Sequence, residues 1–230
     1  MLITDKKIIK GNFVKRISRF SALVQIKREV EYVYLPNPGR LRELLVPGAQ
    51  VVLSPHRNAN RKTSYDLIMA YSDSTLVCID SRIPNKLIGE ALHRKEIAEI
   101  AGYTVVKSEV KFGKSRLDFL LLGAQKKVLI EVKSVTLVKD EIAYFPDAIT
   151  IRGARHVEEL IQAKHEGFDA IILFVIQRPD ASAFSPHAIT DPAFASILRR
   201  AHAEGVAILP YLCTVTLQAI RLFKTIPFLL

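Results

Sequence analysis

The chain has 230 residues, 49% of them hydrophobic, with two cysteines and a formal net charge of +10. That length suits one large domain or two modest ones with ordinary apolar cores, so a disordered or disulfide-stapled chain is not expected. No run of about 18 apolar residues occurs, and the first residues, Met1 to Lys7, lack the apolar stretch of a signal peptide, so a cytoplasmic protein without a membrane partner is expected.

The charge is unevenly placed. Residues 1–82 hold 14 Lys+Arg against 7 Asp+Glu, whereas residues 83–230 hold 19 against 16. A basic first third suggests a polyanionic partner whose phosphates supply much of the non-specific affinity, the alternative being a merely soluble basic surface. Short alternating segments at 8–16, 21–27, 31–34, 51–56, 67–71 and 75–79 are separated by turn residues. Five or six such strands closing on themselves predict a small OB-like β-barrel that binds nucleic acid through one face and its loops. Between them, Pro36-Asn37-Pro38-Gly39-Arg40 is a strong turn signal. Gly39 is free to adopt positive φ, and Arg40 and Arg42 open a short helix able to grip phosphate, unless Asn-Pro-Gly is only a tight connection. Arg57, Arg61 and Lys62 form a second basic loop, ordinarily a solvated turn. Cys78 and Cys213 lie in apolar segments without metal-ligand spacing and are expected in cores.

Residues 81–85 read as the boundary between domains 1–82 and 83–230. A helix begins at Pro84 or Asn85, with Leu87, Ile88, Ala91, Leu92 and Ile97 at helical spacing until Gly102. A strand at 103–107, extending to 112, precedes a hairpin over 116–133. A linker containing Phe145-Pro146-Asp147 leads to a helix over 150–166, on which Arg152 and His156, four apart, share a face. They could reach a scissile phosphate there, or His156 could be a helix-surface histidine with no duty. Residues 169–176 read as a strand buried on both faces, 191–203 as a helix, and 206–211 and 215–222 as closing strands. The order α-β-β-β-α-β-α-β-β is an α/β sandwich with a mixed sheet, α+β overall.

The hairpin carries the chemistry. With Ala124 and Gln125 as the loop, Gly123 faces Lys126, Leu121 faces Val128, Phe119 faces Ile130, Asp118 faces Glu131 and Leu117 faces Val132. One face is then wholly apolar, while Asp118, Glu131 and Lys133 share the other. Opposed carboxylates about 5 Å apart repel unless a cation lies between them. Mg²⁺ or Mn²⁺ suits such oxygens, and Lys133 would point its ammonium at the same site, to hold a phosphate oxygen or the attacking water. An exposed, salt-bridged strand face is the bland alternative. Of the three Acid-x-Lys tripeptides, only Glu131-Val132-Lys133 has a facing acid, an apolar back face and a hairpin turn.

The hairpin resembles the Asp…Glu-x-Lys core of the PD-(D/E)XK nuclease superfamily. The wider chain resembles the SfsA (sugar fermentation stimulation protein A) family, through Leu35-Pro-Asn-Pro-Gly-Arg40, Arg61-Lys-Thr-Ser-Tyr65, Pro84-Asn85, Ile130-Glu-Val-Lys-Ser-Val-Thr136, Phe145-Pro-Asp-Ala148, Arg152-Gly153 and His156. Tyr34 stands where many members have His, and Pro38 where Thr or Ser is frequent. The resemblance implies a DNA-binding protein whose second domain is restriction-endonuclease-like, in which Glu90 on the first helix completes the metal site, the alternative being a solvated surface acid as is usual for a helical Glu. It also favours Arg40, Arg42, Arg61 and Lys62 as nucleic-acid contacts. Two functions follow: a Mg²⁺- or Mn²⁺-dependent DNA phosphodiesterase using Glu90, Asp118, Glu131 and Lys133, or a non-catalytic DNA-binding regulator of sugar-metabolism genes on a nuclease-like scaffold. Nothing in the chain excludes RNA as the partner.

Overall fold

Residues 8–56, 62–100, 102–103 and 105–230 are described by the computed structural model. Six strands open the chain: β1 (Ile9–Ser18), β2 (Ser21–Ile26), β3 (Glu29–Tyr34), β4 (Gln50–Pro55), β5 (Tyr65–Ser72) and β6 (Thr75–Cys78). Antiparallel pairing runs in the order β3-β2-β1-β4-β5-β6, and a parallel bridge from Tyr34 to Asp66 joins β3 to β5. Five strands thereby close into an OB-like barrel, and β6 continues outward from β5. Inward-facing Phe13, Ala22, Val24, Val33, Leu53 and Leu67 fill it. The register of β1 against β2 shifts between Phe13 and Lys15 and again between Arg16 and Ser18, irregularities that let one strand bend between two neighbours.

The loop after β3 differs from expectation. In place of a helix opening at Arg40 there is a turn in which the Leu44 and Leu45 N–H groups both donate to Leu41 O, at 3.2 and 2.8 Å. Leu41 takes φ +51°, a conformation that ends right-handed helix. The N–H groups of Arg40 and Leu41 instead converge on Asp147 Oδ2 from the second half of the chain, at 2.7 and 3.2 Å. Gly39 serves this closure by its size, since a Cβ there would lie 2.6 Å from Asp147 Oδ2. Arg16 stitches the other side of the loop by donating to the carbonyls of Asn37, Gly39 and Arg40. Asp147→Ala removes two charge-assisted bonds across this seam and should cost about 1–2 kcal/mol. Calorimetric unfolding should show a melting temperature lower by a few degrees, and an unchanged value would mean that Arg16 and the Asn37 side chain hold the loop without Asp147.

The second half contains α1 (Ile83–His93), a 3₁₀ turn (Ala98–Ile100), β7 (Val105–Phe112), β8 (Ser115–Leu122), β9 (Lys127–Val135), β10 (Leu137–Lys139), β11 (Ile142–Phe145), α2 (Ile151–His165), β12 (Asp169–Ile176), β13 (Ala183–Pro186), α3 (Pro192–Ala203), β14 (Ala207–Val215) and β15 (Ile220–Thr225). A mixed sheet runs β15-β14-β12-β9-β8-β7, with β12 parallel to both β9 and β14. β12 is buried on both faces, as its unbroken apolar run predicts. Ala170, Ile172, Phe174 and Ile176 pack with the buried faces of α2 and α3, and Ile171, Leu173 and Val175 pack with α1. Thr150 and Asp191 cap α2 and α3 by accepting the Gly153 and Phe194 N–H groups.

Three boundaries moved. α1 stops at His93 because Lys95, at φ +58°, ends it with Lys95 N–H to Leu92 O and Glu96 N–H to Ala91 O, a Schellman closure made without glycine. Residues 137–145, expected as linker, form β10 and β11, which join β13 in a small three-stranded sheet. β14 runs on to Val215 and β15 starts at Ile220, because the chain reverses at Thr216–Ala219, where Thr216 N–H donates to Ala219 O. Cys78 and Cys213 are free and buried, as expected. No helix among the described residues is long and apolar enough to cross a membrane.

Candidate active site

The β8–β9 hairpin takes the predicted register from its turn upward: Gly123 N–H donates to Lys126 O, and Leu122, Leu121, Leu120 and Phe119 pair with Lys127, Val128, Leu129 and Ile130. The ladder pairs end there. Asp118 Oδ2 instead accepts the Val132 N–H at 2.7 Å. On its other side β8 pairs with β7 at Ser108–Phe119 and Val110–Leu117, and the residue between, Glu109, sits at φ +56°. Asp118 thus occupies a break between both neighbouring ladders. The apolar face expected to be continuous changes sides there, with Leu117 in the α2 cluster and Phe119 and Leu121 in the α1 cluster.

Each carboxylate is held by a different helix. From α1, Asn85 Nδ2 donates to Asp118 Oδ1 at 2.5 Å. Burial, followed by the charge of Glu131, pushes the Asp118 carboxyl up to about 6, against the opposing pull of the Val132 N–H, Lys133 and Asn85. Glu131 is 3% exposed. Its Oε1 accepts from Lys133 Nζ at 2.6 Å and from His156 Nδ1 on α2. Burial would raise the Glu131 carboxyl, but Lys133 and His156 together outweigh it and hold it below the ordinary range. The second oxygen, Oε2, is buried without a hydrogen-bond partner. Arg152 Nε donates to His156 Nε2 at 3.3 Å, which leaves Nδ1 as the protonated nitrogen facing Glu131. Arg152 and His156 therefore do share a face, and His156, 3% exposed, is no surface histidine.

Glu90 is not brought to this pair. It lies five residues beyond Asn85, about 140° further round the helix at 100° per residue. There it sits 3.9 Å from Arg94 and lines a separate cleft with Glu96 and Arg221. Among the described residues no three His, Cys, Asp or Glu side chains form a metal-ligating group. Asn85 escaped the sequence reading because an Asn after Pro at a helix start reads as a capping residue, and nothing local marks its partner 33 positions on. Arg40 and Arg42 are exposed and line a groove of about 850 Å³ on the barrel with Lys15, Arg16 and Arg19. Lys62 is exposed beside β5, and Arg61 lies outside the described residues. A second cleft, of about 250 Å³, runs between barrel and sheet from Arg19 and Pro38 to Ser134, adjacent to Lys133, and to Thr150 at the start of α2.

Comparison with known proteins agrees with this architecture. The model of the SfsA N-terminal OB domain matches residues 14–79, and that of the sugar fermentation stimulation protein RE domain matches residues 82–219. The chain belongs to the SfsA family. A sugar fermentation stimulation protein homolog of Clostridium botulinum is 45% identical over 218 residues, covering 94% of this chain and 95% of that one. The corresponding homolog of Caldanaerobacter subterraneus is 42% identical over 214 residues, 93% of each. The solved structure of Pyrococcus furiosus SfsA in complex with Ca²⁺ is 30% identical, with a TM-score of 0.91 over 100% of this chain and 98% of that one. In this SfsA chain the donors suit a hard divalent cation. Two carboxylates flank one strand break, and one of them keeps a buried oxygen that has no hydrogen-bond partner. Mg²⁺ accepts few protein oxygens and completes its shell with water and phosphate.

Proposed function

We propose that the protein binds DNA and cleaves phosphodiester bonds at Asp118, Glu131 and Lys133 with Mg²⁺ or Mn²⁺. The observation that carries this reading is Glu131: His156 and Lys133 saturate Oε1, while Oε2 is left buried with no hydrogen-bond partner. A buried carboxylate oxygen without a partner is costly, and a cation at that oxygen accounts for it. The Ca²⁺ in the Pyrococcus furiosus relative supports a divalent site in this family. Asp118 and Glu131 would hold the ion. When bound, it would polarise a phosphoryl oxygen and acidify a water. His156 orients Glu131 through Nδ1, and Asn85 does the same for Asp118. Lys133, with its side chain 12% exposed and its ammonium on Glu131, would donate to a phosphate oxygen or the attacking water. Arg40 and Arg42, with the rest of the barrel groove, would carry phosphate contacts away from the reacting bond, and Arg61 and Lys62 are further candidates for phosphate contacts.

A second reading, a DNA-binding regulator that uses the sheet as scaffold, draws support from the name of the relatives, which refers to sugar fermentation. One set of experiments separates the two. Linear, circular and single-stranded DNA, and RNA, are incubated with Mg²⁺ or Mn²⁺, and metal uptake is followed by titration calorimetry. Cleavage of DNA is expected, together with a melting temperature that rises with metal concentration, because the ion binds the folded state alone. Tight DNA binding without cleavage of any substrate would leave the regulator. No metal uptake, even with DNA present, would remove the catalytic reading.

A further inference from the structure

The outer face of the barrel carries aromatic side chains that the carboxylate site does not use. β3 alternates, so that Val33 enters the core while Tyr32 and Tyr34 face out, Tyr32 being 45% exposed. Backbone pairing sets Tyr32 beside Leu23 and Leu23 beside Lys15. At the β1–β2 turn Phe20, 42% exposed, stacks on Tyr34 with ring centroids 6.4 Å apart and planes 23° from parallel. The Arg19 guanidinium lies 5.4 Å from the Phe20 centroid, and that of Arg82 lies 5.7 Å from the Tyr34 centroid. Arg82, Tyr34, Phe20 and Arg19 therefore form a ladder of two rings with a planar cation at each end.

The turn is fixed by its backbone, not by burial of its ring. Leu35 N–H donates to Phe20 O at 2.9 Å, and Phe20 N–H to Ser18 Oγ at 3.2 Å. An exposed phenyl ring held in place this way is a preorganised contact surface. Its surroundings are cationic: Arg19 lines both the basic groove and the cleft that reaches Ser134 beside Lys133.

We propose that this face is a stacking platform for the unpaired bases of single-stranded DNA, with Tyr32 taking one base face, Phe20 taking another as the Arg19 guanidinium leaves its ring for a phosphate, and Lys15 taking a second phosphate. The inference rests on the DNA-binding reading above and is independent of cleavage. Base pairing decides the substrate class, because a duplex keeps its base faces stacked inside and offers a protein ring only edges and phosphates. A π-face is available only on an unpaired base, and every base has one, so such a platform selects strandedness over sequence. The cleft that Arg19 lines extends to Ser134 on β9, so a single-stranded segment leaving the platform has a way from the barrel onto the sheet.

The test uses the full chain and two labelled probes, an oligothymidylate of about 12 nucleotides and a blunt hairpin duplex with the same number of phosphates, the former within the span of an OB-type site. Phe20→Ala should weaken oligothymidylate binding roughly 10-fold, in the range of one lost stacking partner, and change duplex binding less than about twofold. The chain contains no tryptophan, so Phe20→Trp installs a single reporter. It should retain affinity for oligothymidylate, and its emission should be quenched on binding. Equal weakening of both probes by Phe20→Ala, or unquenched emission with the oligothymidylate bound, would overturn the platform while leaving DNA binding intact. Failure of the wild type to bind either probe would overturn the DNA-binding reading, and this inference with it.

Discussion

Replacing Lys133 with alanine is expected to lower metal-dependent cleavage by about 100-fold or more while leaving DNA affinity nearly unchanged. The asymmetry follows from position. The Lys133 ammonium lies in a largely buried site, 2.6 Å from Glu131 Oε1, where a donor aimed at developing charge gains most in the transition state. In the unreacted complex it is one cation among many, since the groove on the barrel alone presents Lys15, Arg16, Arg19, Arg40 and Arg42. The loss should also be felt by the carboxylates. Lys133 counters both the repulsion that raises Asp118 and the burial that acts on Glu131, so without it both carboxyls should bind protons more tightly. The pH profile of the residual cleavage should therefore shift upward. Arg40→Ala should do the reverse of Lys133→Ala, weakening binding and its salt dependence while sparing the single-turnover rate at saturation. Its backbone N–H, which holds Asp147, is retained in the variant. Equal losses of binding and cleavage in Lys133→Ala would make Lys133 a ground-state phosphate anchor and remove the role assigned to it.

What the chain disclosed and what it withheld divide along local and non-local physics. The barrel strands, the doubly buried β12 and the hairpin register from its turn to Phe119 are written in side-chain alternation, in an unbroken apolar run and in a two-residue loop, each readable within about ten positions, whereas the expected pairing of Asp118 with Glu131 is lost at the strand break. β10, β11 and β13 escaped because strands of three or four residues carry too little periodicity, and because β11 finds its parallel partner about forty positions later. The site divides in the same way. Asp118, Glu131 and Lys133 were legible because their spacing in one hairpin makes a chemical problem, two acids and a base on a strand face. Asn85, His156 on Glu131 and Asp147 on the 39–41 loop are long-range hydrogen bonds formed by helix placement, and no spacing announces them. Glu90 shows the converse. A plausible acid on the right helix is carried away from the site by helical phase, and a neutral amide stands in the position that reaches Asp118.

Asp118→Asn is expected to stabilise the metal-free protein at pH 7 by about 1–3 kcal/mol while abolishing stabilisation by metal. Burial and the nearby Glu131 push the Asp118 carboxyl from an ordinary 3.8 up to about 6 in the folded chain. The folded state therefore binds this proton more tightly than the unfolded state does. Stability then falls as pH rises through the window from about 4 to about 6, and the full cost is present at pH 7, where the folded protein must keep an unwanted charge. An amide at the same position removes that cost. It can still accept the Val132 N–H through its oxygen, and Asn85 can turn its own carbonyl toward the new NH₂ group, so neither hydrogen bond need be lost. Thermal unfolding of wild type and variant across pH 4 to 8 in chelator checks this: the variant's advantage should be near zero at pH 4 and grow to a plateau above pH 6. Adding Mn²⁺ should raise the melting temperature of the wild type and leave that of the variant where it was, because the ion offsets in the wild type the same repulsion that the amide removes. A variant that is less stable than wild type at pH 7 without metal would mean that Asp118 is a structural cap for the Val132 N–H, and the strain attributed to a site awaiting a cation would be absent.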